Sequence, residues 1–374
     1  MERSILRRRL CVSVAAAAAT VLLGGCGAVN ERAAGATAGS ETTGVSGSSL
    51  SGTINGAGSS AQAAAVAAWK AAFEESHPNV TVNYDPVGSG GGREQFISGG
   101  VDFGGSDAYL ASDELAQAKK RCSGGQLIEV PVYLSPIAVV YHLQGVKDLR
   151  LSPDTLAKIF ARKITTWDDP AIKRDNPGTT LPNTPITAVN RSDDSGTTEN
   201  FTDYLAKAAP TVWTYQVSGM WPLHGGEAAK GTTGVVQAVT SGTGTIGYAD
   251  DSQIGDLPSA RITVGNHDVS LTSTAAARVV DVSTQVPGRG TYDDALNLQR
   301  TPKDSNTYPI VLASYQLFCT TYSDPNKAAL AKAWLSYIGS KEGQHVAARA
   351  AGSAPLSGHG RSLVTRAAKA IQTP

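Results

Sequence analysis

The sequence carries no net charge, 32 basic residues balancing 32 acidic ones over 374 positions. Past the first ten residues its longest run of Lys or Arg is the three-residue Lys119-Lys120-Arg121, and there is no basic arm, the usual footprint of a nucleic-acid partner. Histidine and cysteine are scarce, six and four residues. No two histidines stand at metal-ligand spacing, so no metal and no cofactor are expected. The glycine run Gly88–Gly92 lacks the Gly-Lys-Ser/Thr ending of a nucleotide P-loop, and no G-x-S-x-G elbow marks a hydrolase serine. Internal repeats are missing. The apolar stretch Leu10–Leu23 is too short and too rich in alanine for a membrane span. What remains is a globular composition, 41% apolar and only 17% charged, with length for two domains.

The N-terminus is a separate device. Arg7, Arg8 and Arg9 precede Leu10–Leu23, and Leu23-Gly24-Gly25-Cys26 follows. A basic start, a short apolar core and small residues make residues 1–25 a secretory signal. A cysteine after Leu-Gly-Gly resembles the bacterial lipobox, in which Cys26 becomes the lipid-bearing first residue. Residues 26–50 are mostly Gly, Ala, Ser and Thr and form a flexible tether. Without residues 1–25, which hold four arginines and one glutamate, 28 basic and 31 acidic residues remain, net −3. Such a body has no electrostatic reason to lie on anionic lipid, so acyl chains would hold it at the membrane. Cys11 falls in the leader and Cys26 is the anchor, which leaves Cys122 and Cys319 as one disulfide in an oxidising compartment.

From residue 51 onward short strands alternate with helices. Strands are expected at Gly52–Asn55, Val80–Tyr84, Val101–Gly104 and Ile186–Val189, with a glycine turn at Gly56-Ala57-Gly58. Ala61–Ser76 reads as a helix, with Ala65, Trp69 and Phe73 on one face. Gly88–Gly92 is expected as a loop before a short helix from Arg93. Ser112 is placed to cap a helix over Asp113–Lys120. Leu127–Leu143 is a β-rich run interrupted by Pro131 and Pro136. Ser152-Pro153-Asp154 opens another helix, Thr197–Ala208 a further one, and Asp324-Pro325 the last clear one, with a stripe of Leu330, Trp334, Tyr337 and Ile338. This alternation implies an α/β fold with helices on both faces of its sheets.

Three segments share one design, a strand end followed by glycines and hydroxyls and then a helix. They are Gly56–Ser60, Gly88–Gly92 and Arg191-Ser192-Asp193-Asp194-Ser195-Gly196-Thr197. A helix N-terminus offers unpaired N–H groups and a positive dipole end, and Ser, Thr and Arg add donors, so together they suit an oxyanion. Ser195 taken alone could be a nucleophile, a helix cap or an anion donor. A nucleophile needs a histidine base within reach, and only His224, in LHGGE, sits in a glycine-rich setting.

GAGSS, VGSGGGREQFISGGVDFGGSDAYL and NRSDDSGTTENFTDYL resemble the signature segments of the phosphate-binding proteins of bacterial phosphate ABC importers. The likeness extends through TLAKIFARKITTWDDPAI, AAKGTTGVVQAVTSGTGTIGYAD and the C-terminal helices. It implies a two-lobed periplasmic-binding-protein architecture with a ligand cleft between the lobes. One lobe would comprise 51–132 plus 309–374 and the other 133–308, with crossings at Pro131 and near Tyr308-Pro309. The implied phosphate-binding residues are Ser59, Ser60, Ala61, Ser89, Asp107, Arg191, Ser195, Gly196 and Thr197, with Asp193 orienting Arg191. Phosphate would favour the closed state, which membrane permease subunits recognise.

Asp107 would accept a hydrogen bond from the proton of phosphate. Sulfate has no such proton, and an unpaired buried carboxylate facing it costs about 1–3 kcal/mol or more. Arsenate is not excluded by this logic, and a surface phosphatase is the remaining, weaker alternative. Two departures from the family pattern stand out: Ser60-Ala61 replaces the usual Thr-Phe, so Ala61 offers only its N–H, and Asp194 stands where glycine is common.

Overall fold

A computed structural model describes residues 50–374. The expectations for the leader, Cys26 and the tether fall on residues 1–49, outside the described residues. The described chain lies within one compact unit, Ser48–Pro374. The fold is mixed α/β and two-lobed.

One curled sheet runs through both lobes. Its strand order is Val80–Asp85, Gly52–Gly58, Phe103–Ser106, Val311–Cys319, Leu127–His142, Thr245–Asp250, Thr187–Arg191, Glu227–Ala229. The first three strands are parallel, and Val311–Cys319 returns antiparallel to Phe103–Ser106 and to Leu127–His142. Leu127–His142 changes partner along its length. Through Pro136 it pairs with Val311–Cys319, and from Ile137 it pairs with Thr245–Asp250.

That strand runs unbroken through both prolines, contrary to the interruption expected at Pro131 and Pro136. Each proline sits where the ladder is already irregular: Pro131 beside a register shift opposite Ser314 and Tyr315, Pro136 at the change of partner. A residue without an N–H is tolerated at such places.

Other boundaries also moved. Gly56-Ala57-Gly58 is the end of a strand, not a turn, because these residues pair with Phe103, Gly104 and Gly105. Gly88–Gly92 is not a loop before a helix, since the helix spans Ser89–Ser98 and contains the glycines from Gly90 on. A Cβ on Gly92 would stand 2.3 Å from the Gly58 Cα, so glycine is the condition for that helix to approach the strand. The third strand is Phe103–Ser106, two residues later than expected. Ser112 is the first helical residue rather than the cap, and the Glu114 carboxylate accepts from the Ala111 N–H, 3.0 Å. Two further helices, Lys341–Ala351 and Gly358–Lys369, follow Pro325–Ile338.

The apolar periodicities hold. Ala65, Trp69 and Phe73 are buried, and Phe73 meets Trp334 edge-on at 5.5 Å. Leu330, Trp334 and Ile338 are buried in their helix. Ser152 caps its helix by accepting from the Thr155 N–H. Cys122 and Cys319 are joined, with Cα atoms 5.2 Å apart across a sequence separation of 197. No helix among the described residues is long and apolar enough to cross a membrane.

Candidate functional site

Four chain segments bring their polar ends to one place where the lobes meet. Asp107 follows directly on the strand Phe103–Ser106 and is 3% exposed. Ser59 and Ser60 follow the strand Gly52–Gly58, Ser89 opens its helix, and Ser195-Gly196-Thr197 opens the helix Gly196–Ala208. All are buried.

Asp107 is the focus. Its Oδ1 accepts from the Ser59 hydroxyl at 2.5 Å and from the Ser314 hydroxyl. Its Oδ2 accepts from Thr197 at 3.2 Å and from Ser89 at 3.4 Å. Burial raises the Asp107 pKa above the ordinary carboxylate value, against the lowering pull of these hydroxyls and of the Arg191 charge. Gly196 packs against Asp107 so closely that a Cβ there would lie 2.8 Å from the Asp107 Cβ.

Arg191 ends the strand Thr187–Arg191, and its side chain is 2% exposed. Asp193 holds its Nε at 2.8 Å and also its Nη2. Asp193 accepts in addition from the Gly231 N–H at 3.1 Å. Burial acts to raise the Asp193 pKa, but the bonds and charge of Arg191 outweigh it and leave it below the ordinary value. One edge of the guanidinium is thereby fixed by Asp193, and its remaining N–H donors have the planar fork geometry that suits an oxyanion.

Ser195 is the cap of its helix, its Oγ accepting from the Thr198 N–H at 3.2 Å. A hydroxyl that accepts in this way keeps its proton for another acceptor. The imidazole that a serine nucleophile requires is not among its hydrogen-bond partners.

Ser59 and Ser60 divide their roles. The Ser59 hydroxyl is fully engaged, donating to Asp107 and accepting from the Ala61 and Gln62 N–H groups at 3.1 and 3.2 Å. The Ala61 N–H is thus turned onto Ser59. The Ser60 hydroxyl lies 3.0 Å from the Thr232 hydroxyl and accepts from the Thr232 N–H at 3.2 Å.

Sequence reasoning missed several of the residues that complete this arrangement. Thr232 lies in the first turn of the helix Gly231–Ser241. Its signal was the Lys-Gly-Thr-Thr start, a fourth helix N-terminus with hydroxyls. Gln253 donates to the Ser60 and Ala61 carbonyls at 2.8 and 3.3 Å. Asn200 donates to the Asp107 carbonyl at 2.7 Å. The Tyr248 hydroxyl lies 2.8 Å from that of Thr198 and accepts from the Arg191 N–H at 3.3 Å. Burial pushes its pKa up to about 12, so it stays protonated. Ser314, in a featureless strand, left no local signal.

Asp194 lies across the cleft from Arg93, 3.4 Å between Oδ2 and Nη2, and its carbonyl accepts from the Gly90 N–H at 3.1 Å. At 40% side-chain exposure the ion pair is worth little on its own. Among the described residues no group of His, Cys, Asp or Glu forms a metal cage.

A buried arginine, converging hydroxyls and helix N-termini between two α/β lobes give a donor set of the class that suits an anion. The PBP superfamily domain model matches residues 38–342. The phosphate-binding protein PstS 3 of Mycobacterium leprae is 36% identical over 319 residues, covering 84% of this chain and 86% of that protein. The phosphate-binding protein PstS2 of Mycobacterium bovis is 34% identical over 340 residues, covering 88% and 90%. In fold the chain is similar to a high affinity periplasmic phosphate-binding protein solved with phosphate bound, TM-score 0.70, 22% identity, covering 84% and 93%. It is likewise similar to a phosphate-binding protein from Stenotrophomonas maltophilia, TM-score 0.67, 20% identity, with the same coverage. The chain belongs to the PstS family of phosphate-binding proteins.

Proposed function

We propose that this protein captures inorganic phosphate outside the cytoplasmic membrane and delivers it to the permease subunits of an ABC importer. The observation that carries the reading is the juxtaposition of Arg191 with four hydroxyl-bearing segments around one buried acceptor, Asp107, in a chain of this family. Phosphate oxygens would be held by the terminal edge of Arg191, by the hydroxyls of Ser60, Ser89, Ser195 and Thr197, and by the N–H groups of Gly196 and Thr197, whereas the N–H of Ser195, expected from sequence to join them, donates to the Gly219 carbonyl at 3.1 Å. Asp107 would take the proton of phosphate. The geometry favours a supporting role for Ser59, whose hydroxyl is already committed.

The proposed division keeps 51–132 plus 309–374 as one lobe and 133–308 as the other. The change of strand partner between Pro136 and Ile137 lies a little further along the same strand. Ser60–Thr232, Gln253–Ser60 and Gly90–Asp194 then bridge the lobes, the arrangement of a closed cleft that a permease would recognise. Cys26 would carry the lipid that keeps the body at the membrane, and the role is one of binding without catalysis.

Calorimetric titration of the unit Ser48–Pro374, stripped of anion, tests this. One-to-one binding of phosphate without a sulfate signal is expected, and arsenate should compete. A folded protein that ignores phosphate would sink the reading. Release of phosphate from a nitrophenyl ester would replace it with an enzyme.

A further inference from the structure

We propose that Ser314, with Ser59, sets the selectivity of the cleft by fixing Asp107 as a group that only accepts hydrogen bonds. This deepens the phosphate reading and rests on it.

The two oxygens of Asp107 are treated differently. At Oδ1 both donors have their proton direction imposed. Gln62 Nε2 donates to the Ser314 hydroxyl oxygen at 2.5 Å, so the Ser314 proton is left for Asp107. The Ala61 and Gln62 N–H groups do the same for Ser59. At Oδ2 the bonds from Thr197 and Ser89 are longer, 3.2 and 3.4 Å, and both come from hydroxyls proposed to grip the ligand. A ligand O–H can take over Oδ2, whereas Oδ1 is sealed.

Ser314 stands where the ladder of its strand against Leu127–His142 is irregular. The register of Val311–Cys319 against Leu127–His142 shifts between Ser314 and Tyr315, and Tyr315 is paired with Ser106, the residue before Asp107. The extra residue is Val132 of Leu127–His142, between the partners Tyr133 and Pro131, and Ser314 opposite it is wholly buried.

The charged and titratable groups facing Asp107 are Arg191 and Tyr84. On the helix Ser89–Ser98, Arg93 is engaged by Glu114 and Asp194, and Glu199 on the helix Gly196–Ala208 faces Arg93. Burial drives Asp107 toward its protonated form, and the Ser314 and Ser59 bonds are the foremost opposing influences. A protonated Asp107 would be a donor and would accept sulfate. Loss of either serine should therefore let selectivity collapse at higher pH.

The test is the phosphate-to-sulfate affinity ratio of wild type, Ser314→Ala and Ser59→Ala between about pH 5 and pH 8, with circular dichroism to verify folding. Ser314→Ala is expected to lower the ratio about tenfold near pH 6 and to move its collapse upward by about one pH unit. Ser59→Ala should act in the same direction and keeps the test alive if the first variant does not fold. A Ser314→Thr variant, which retains the hydroxyl, should restore the wild-type profile. Folded alanine variants that bind phosphate with the wild-type ratio at every pH would overturn the inference alone. A wild type that does not bind phosphate would overturn the functional reading beneath it.

Discussion

Replacing Asp107 with asparagine separates what this residue does for binding from what it costs the fold. On the proposed reading Oδ2 is the oxygen that takes the ligand proton, and Asp107 is 3% exposed. The variant presents an amide N–H₂ in place of one carboxylate oxygen, so a phosphate O–H loses its acceptor. A lost bond to a buried charged group is worth about 1–3 kcal/mol, roughly 5- to 150-fold in Kd. Sulfate should move the other way, because the uncompensated negative charge is gone. Stability follows a different sign. The folded pKa of Asp107 is raised, so its proton-linked stabilisation is fully present below the ordinary carboxylate pKa and is lost as pH rises through the folded value. The amide stays neutral throughout, and at neutral pH the variant should be no less stable than wild type even though two hydroxyls lose an acceptor. Calorimetry with both anions and thermal melts of the same samples read both effects. Unchanged phosphate affinity, or a folded variant that still excludes sulfate, would refute the acceptor role.

Thr232→Val removes the hydroxyl that bridges to Ser60 across the cleft while keeping the shape of the side chain. Phosphate affinity should fall by about 1 kcal/mol, roughly fivefold, with the change in the dissociation rate, which stopped-flow release measures. Replacing both Cys122 and Cys319 with Ser opens a loop closed over a separation of 197 residues, for which chain entropy gives about 2–5 kcal/mol of lost stability. Denaturant titration should show that loss with phosphate affinity unaltered, since neither sulfur touches the cleft. Asp250 is fully buried at the end of the strand Thr245–Asp250, and burial pushes its pKa up to about 7. Its contribution to stability is present below the ordinary carboxylate pKa and is lost as pH rises through about 7. Asp250→Asn should flatten that decline in melts taken between about pH 4 and pH 8, and an unchanged slope would refute the assignment.

Local chemistry in the sequence was enough for a good part of this molecule. The helix start at Ser152-Pro153, the stripe through Leu330 and Trp334, and the face of Ala65, Trp69 and Phe73 depend on neighbours three or four residues away, so a linear reading finds them. The segments proposed to grip the anion were legible for the same reason, because a helix N-terminus with glycine and hydroxyls announces itself within a few residues. The partners of those segments were not. Whether Gly88–Gly92 is loop or helix is decided by the Gly58 backbone it must approach, which belongs to a strand far earlier in the chain. Ser314 and Gln253 lie in unremarkable surroundings, and only the packing of distant elements brings them, with Thr232, to Asp107 and Ser60. The sequence alone determined which residues could hold an oxyanion. The tertiary structure decided which hydroxyls are already spoken for, because a hydrogen bond is set by positions a few ångströms apart that no local pattern records.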